Sequence, residues 1–205
     1  MKRKPSDRIT SFIYGNDLLP VLVLFCFITG VAVGAFTELL LSADAKADIQ
    51  SILDFQFLLS EPMGDLLPDL FLVSAATNLG LLLIIVLAGL TIIGFPAALL
   101  ALIYKGAALG FAAALLMDTF DGKGVLLVLL TLFPPNLLLI PALCGAAIAS
   151  LRLAFDALSC PSQIKKNLSE RAGSFMVFQI MMAILALGGC FIESFISPLL
   201  QQLLG

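Results

Sequence analysis

Residues 125–151 read VLLVLLTLFPPNLLLIPALCGAAIASL, 27 residues without a charged side chain. A helix needs about 20 mostly apolar residues to cross the hydrocarbon core of a bilayer. This run is too long for one straight perpendicular helix, because at about 1.5 Å per residue it would reach roughly 40 Å across a core of about 30 Å. It also contains Phe133-Pro134-Pro135-Asn136 and then Pro141. Consecutive prolines remove backbone donors and crowd the preceding turn. In lipid the freed carbonyls need partners, so such a break belongs against protein or a wet cavity. The expectation is a kinked or broken segment, interrupted at Pro134-Pro135 and packed inside a bundle.

The rest of the chain agrees with a membrane setting. Of its 205 residues 60% are hydrophobic and 12% charged, and the mean hydropathy is +1.11. Soluble domains carry about twice that share of charge, so there are too few solvating side chains to cover a surface in water. A secreted enzyme, a nucleic-acid reader and a disordered linker are excluded on that ground. The net charge of −3 also argues against a basic binding surface. Histidine is absent, which removes the imidazole base, the usual zinc set and the Ser-His-Asp triad. The cysteines Cys26, Cys144, Cys160 and Cys190 are scattered with no C-x-x-C pair, and three of them lie in apolar runs where a thiol acts as a small hydrophobe. No cofactor, metal or catalytic site is expected.

Four further runs are long and apolar enough to span: 18–37, 70–93, 96–117 and 172–192. The first follows MKRKPSDR. With no small-residue cleavage site, it reads as an uncleaved anchor rather than a signal peptide. The flanks set the orientation. With a cytoplasmic N-terminus, that side holds Lys2, Arg3, Lys4, Arg8, Arg152, Lys165, Lys166 and Arg171, and the other side holds Lys46 and Lys123. Eight basic residues against two is a positive-inside pattern. Acidic residues divide the other way: Glu38, Asp118, Glu193 and seven more fall outside. The expectation is a single all-α membrane domain over 1–205, with an outside loop at 38–69, a cytoplasmic loop at 152–171 and the C-terminus outside. In the outside loop, Ile49, Ile52, Leu53 and Phe57 recur at helical spacing and predict an amphipathic helix, suited by its acidic face to packing on the bundle or on a partner.

Several residues within the spans stand out. Gly94 and Pro96 sit in a tight junction between the second and third spans; Gly permits unusual backbone angles and Pro suits a first helical turn. Lys105 lies about nine residues inside an apolar run, where a charge at the bilayer centre costs about 2.5–3.5 kcal/mol. It either faces the bundle interior in a functional role or snorkels to the interface. No second buried charge is evident beside it. Gly106 with Gly110, and Gly30 with Gly34, form G-x-x-x-G faces that allow close helix approach. Asn78 and Asn136 are candidates for bonding exposed backbone.

From Gly94 to Arg152 the features come in order: G-F-P at 94–96, Y-K-G-x-x-x-G-F at 104–111, D-G-K-G at 121–124, and F-P-P-N-L-L-L-I-P at 133–141. This pattern resembles the stage II sporulation protein M family of bacterial integral membrane proteins. In relatives a Pro followed by a polar residue stands near the break; Pro135 and Asn136 fit that, and Pro134 is an extra. The resemblance implies about five spans, a bacterial cell-membrane location and a non-enzymatic scaffold. Such a scaffold recruits the peptidoglycan-degrading stage II sporulation proteins D and P during engulfment of the forespore. Membrane lipid is the other expected partner, nucleic acid is not one, and a homo-oligomer is compatible with the sequence. The competing reading is a permease-like subunit of a transporter or channel, built on the proline break, the Gly-rich third span and Lys105.

Overall fold

The computed structural model describes residues 18–42, 45, 46, 49, 67–91, 94–159 and 164–196. Apart from Ile49, the predicted amphipathic helix over 49–57 lies outside the described residues, as do the basic N-terminus and the tail after residue 196. Five α-helices run in sequence: α1 (Leu18–Leu39), α2 (Leu67–Leu90), α3 (Phe95–Leu127), α4 (Phe133–Ser159) and α5 (Ile164–Phe191). A π-helical turn, Val128–Leu132, joins α3 to α4, and a second, Ile192–Ile196, extends α5. No strand occurs among the described residues. The membrane-spanning stretches are Leu18–Leu39, Pro68–Leu90, Phe95–Phe120, Gly124–Phe155 and Gly173–Ile196, close to the five runs read from the sequence.

Spans three and four are divided by a reversal at the D-G-K-G stretch. A Cβ on Gly124 would come within 2.5 Å of the Leu116 carbonyl and 2.7 Å of Met117 Cα. In a straight helix residues eight apart are separated by roughly 12 Å of axis, so the chain has doubled back. The proline break takes a milder form than an unwound segment. Phe133 donates its N–H to the Val128 carbonyl, which widens the last turn before the prolines. Pro134 and Pro135 then occupy the first turn of α4, where a missing donor costs least. Side chains cover nearby carbonyls: Thr131 Oγ1 donates to Leu127 O at 2.7 Å, and Asn136 Nδ2 donates to Leu132 O at 2.8 Å. Pro141 stays inside α4 and is exposed.

Two packing regimes hold the bundle. The buried stripe of α1 is Leu19, Val23, Phe27, Gly30, Gly34 and Glu38, and it lies along α3, its most extensive partner. The two helices run parallel, with Gly30 meeting Ile103 and Gly34 meeting Ala107. Across the seam, Gly106 and Gly110 lie against the backbone of Phe27 and Val31. The two G-x-x-x-G faces therefore pack on one another. A Cβ at any of the four would overlap a facing carbonyl oxygen, so those carbonyls receive Cα–H contacts worth ~0.5–1 kcal/mol each. Elsewhere α2, α4 and α5 share a side-chain core with the inner face of α3. Ile85, Ala98, Leu102, Leu139, Leu143, Ala146 and Ala186 are all within 1% of full burial. Phe25, Phe36, Leu72, Val73 and Ile184 point away from the bundle, as lipid-facing residues do.

At the junction of α2 and α3, Gly94 caps α3 with Pro96 in its first turn, as the sequence suggested. The reason for the glycine is different. Its φ is −79°, an ordinary helical angle, so conformational freedom is not used. A Cβ there would overlap Thr91 Oγ1 and lie 2.6 Å from the Ala88 carbonyl; the turn needs room.

Candidate functional site

Ala98, Ala101 and Leu102 form the buried stripe of α3. Lys105 is the next residue on that stripe, seven after Ala98, while Leu100 and Tyr104 face outward with more than 60% exposure. The lysine thus enters the bundle interior and does not lie among the lipid-facing residues. Its ammonium lies within electrostatic reach of the Glu193 carboxylate and of Cys190.

Glu193 is the ionised group within electrostatic range of Lys105. Its position beyond the last apolar run marks it, by sequence alone, as an outside residue. Instead α5 continues through the π turn Ile192–Ile196, and the carboxylate is held by α2. Ser74 Oγ donates to Glu193 Oε2 at 2.5 Å, and Asn78 Nδ2 approaches the same oxygen at 3.4 Å. Asn78 is 2% exposed. Its amide also donates to Ser74 O at 3.0 Å and to Cys190 Sγ at 3.6 Å, so its expected backbone role is present, beside bonds to two side chains. Asn78 Oδ1 has no hydrogen-bond partner among the described residues.

The resulting group, Ser74, Asn78, Lys105, Cys190 and Glu193, draws on α2, α3 and α5. Chemically it is a carboxylate supplied with two donors, with a lysine amine of a neighbouring helix within electrostatic range, in surroundings where charges interact far more strongly than in water. Such a pair can bind or relay a charged or polar group. It has no nucleophile-base-orienter arrangement of the kind acyl transfer needs. No group of three His, Cys, Asp or Glu able to hold a metal occurs among the described residues.

Two other polar contacts lie apart from it. Gln179 Nε2 donates to Ala146 O at 3.1 Å and to Ser150 Oγ at 3.1 Å, tying α5 to α4. At the end of the bundle where α1 finishes, Lys46 Nζ lies 2.6 Å from Glu38 Oε1 and 2.8 Å from Asp118 Oδ2. Hydrogen bonding to Asp118, then to Glu38, pushes the Lys46 ammonium above its ordinary value of 10.5. Glu38 itself is 1% exposed, so this lysine is what balances a buried carboxylate.

The sequence-derived candidates divide among separate places. Gly94 and Pro96 form the α2–α3 turn, Gly106 and Gly110 line the α1 seam, and Pro135 and Asn136 follow the π turn at the start of α4. Pro141 is exposed. Lys105 and Asn78 belong to the polar group. Sequence reasoning missed Ser74, Cys190 and Glu193 as members, although one signal is present: Ala186, Gly189, Cys190 and Glu193 continue a single helical face.

A family model described as Stage II sporulation protein M matches residues 22–198. No curated protein matches the chain, and no solved structure does.

Proposed function

The chain belongs to the stage II sporulation protein M family, and from that premise we propose that this multi-pass membrane protein is a non-enzymatic scaffold that recruits peptidoglycan-degrading enzymes during engulfment. The single observation that carries the reading is the family match across residues 22–198. Its partners by resemblance are stage II sporulation proteins D and P. The charge pattern supports a docking surface on the acidic side: nine acidic residues besides Glu193 lie with Lys46 and Lys123 in the orientation that places the N-terminus in the cytoplasm. The loop 38–69 is the chief candidate surface.

Deleting residues 44–61 tests this. The expected result is a protein that still inserts but no longer co-purifies the two enzymes or localises with them. Unchanged co-purification and localisation would contradict the docking assignment.

A permease-like role is the second reading, favoured by one specific observation: Glu193 is bonded to Ser74 and Asn78 of α2, with Lys105 of α3 within electrostatic range. Ion-coupled transporters place such groups near the bilayer midplane. Full function in Lys105→Met would count against this reading and leave the scaffold untouched.

A further inference from the structure

A groove of roughly 430 Å³ runs between α1, α3 and the start of α4. Val31, Leu109 and Ala113 form one wall, and Val128, Leu137 and Pro141 form much of the other. Leu137 and Phe133 stand at its lip with more than half their surface exposed, so it opens sideways, where the spans meet lipid. It exists because α3 is drawn tightly onto α1 by the glycine seam and packs far less on α4.

We propose that this groove is a binding site for one acyl chain of a membrane lipid. The proposal does not depend on the scaffold reading. Water is a poor occupant: Asn136 is the only polar lining residue, its Nδ2 is bonded to Leu132 O, and its Oδ1, which has no partner among the described residues, offers a single acceptor, whereas a buried water needs two to four polar partners. The groove opens to the lipid side past Phe133 and Leu137, so acyl chains of the surrounding bilayer reach it directly, and its volume of roughly 430 Å³ falls within the usual range of apolar ligand sites, about 300–1,000 Å³. A second copy seated over this face would instead keep lipid label off 109–113 and 128–141.

The test uses the full chain in phospholipid vesicles containing a phospholipid with a photoreactive group midway along one acyl chain. Labelled peptides are mapped by mass spectrometry. The expected result is label concentrated on 109–113 and 128–141, and lost from both in Ala113→Phe and in Leu137→Trp, two variants that fill the groove from opposite walls. Leu83→Trp, on a lipid-facing surface of α2, leaves the pattern unchanged. Folding of each variant is checked by its thermal transition, and the two fillings guard against one failing to fold. Label spread evenly over all outward faces, or unaffected by either filling in a folded protein, would overturn the site.

Discussion

The α1–α3 seam and the α2–α4–α5 core are two solutions to one problem. Lipid tails are as apolar as leucine, so apolar burial alone gives helices little reason to associate inside a membrane. At the seam, Gly30, Gly34, Gly106 and Gly110 let backbones touch, and association comes from close van der Waals and Cα–H contacts. In the core, larger side chains interlock and are joined by polar bonds: Ser74 and Asn78 to Glu193, and Gln179 to Ala146 and Ser150. The seam rests on backbone contact, with its buried carboxylate Glu38 balanced by Lys46 at one end; the core carries Glu193 and Lys105. Sorting the bundle in this way separates residues that hold it together from residues able to act.

The sharpest way to break the contrast is to enlarge the seam. Gly34→Leu places side-chain atoms where Ala107 backbone stands, and should cost about 3 kcal/mol, the upper range for overpacking, seen as a lower thermal transition of the purified protein. In the core, Glu193→Leu leaves Ser74, Asn78 and the Lys105 charge without their partner and should cost about 2 kcal/mol. Adding Lys105→Met should recover part of that loss, so the two changes combine to less than their sum. Additive losses would mean the two charges do not act on each other.

Gln179→Leu should cost about 0.6 kcal/mol, the usual value for a hydrogen bond between membrane helices, with α5 loosened from α4 by hydrogen exchange. The smallest effect concerns Lys46. Because its ionisation is raised above 10.5 in the folded protein, its stabilising contribution is complete below that value and is lost as pH climbs through the raised one. A denaturation series from neutral to strongly alkaline pH should therefore show wild type losing more stability above pH 10.5 than Lys46→Met.

The architecture is readable because lipid leaves few options: span length, charge-free runs and breakers determine most of it. The D-G-K-G reversal and Pro96 at the start of α3 follow from local chemistry alone. Which faces meet is a different kind of information. Both G-x-x-x-G faces are visible in the sequence, but nothing local says that they face each other rather than a second protein. Glu193 is misplaced by sequence reasoning for a physical reason: hydropathy ends a span at its last apolar residue, whereas the helix continues through a π turn and α2 supplies donors for the carboxylate. Gly94 is recognisable, but its reason is steric and belongs to Ala88 and Thr91, which only the folded turn brings near.

That Glu193 lies inside the bundle against α2 is the central structural claim, and the neighbouring thiol gives the most direct test. Asn78 Nδ2 is 3.6 Å from Cys190 Sγ, three residues before Glu193. In membranes containing Asn78→Cys, with Cys26, Cys144 and Cys160 replaced by alanine, mild oxidation should join positions 78 and 190, detected as a disulfide-linked peptide pair by mass spectrometry. Absence of that pair in a correctly inserted protein, with both thiols still free, would contradict the claim and return Glu193 to the exterior.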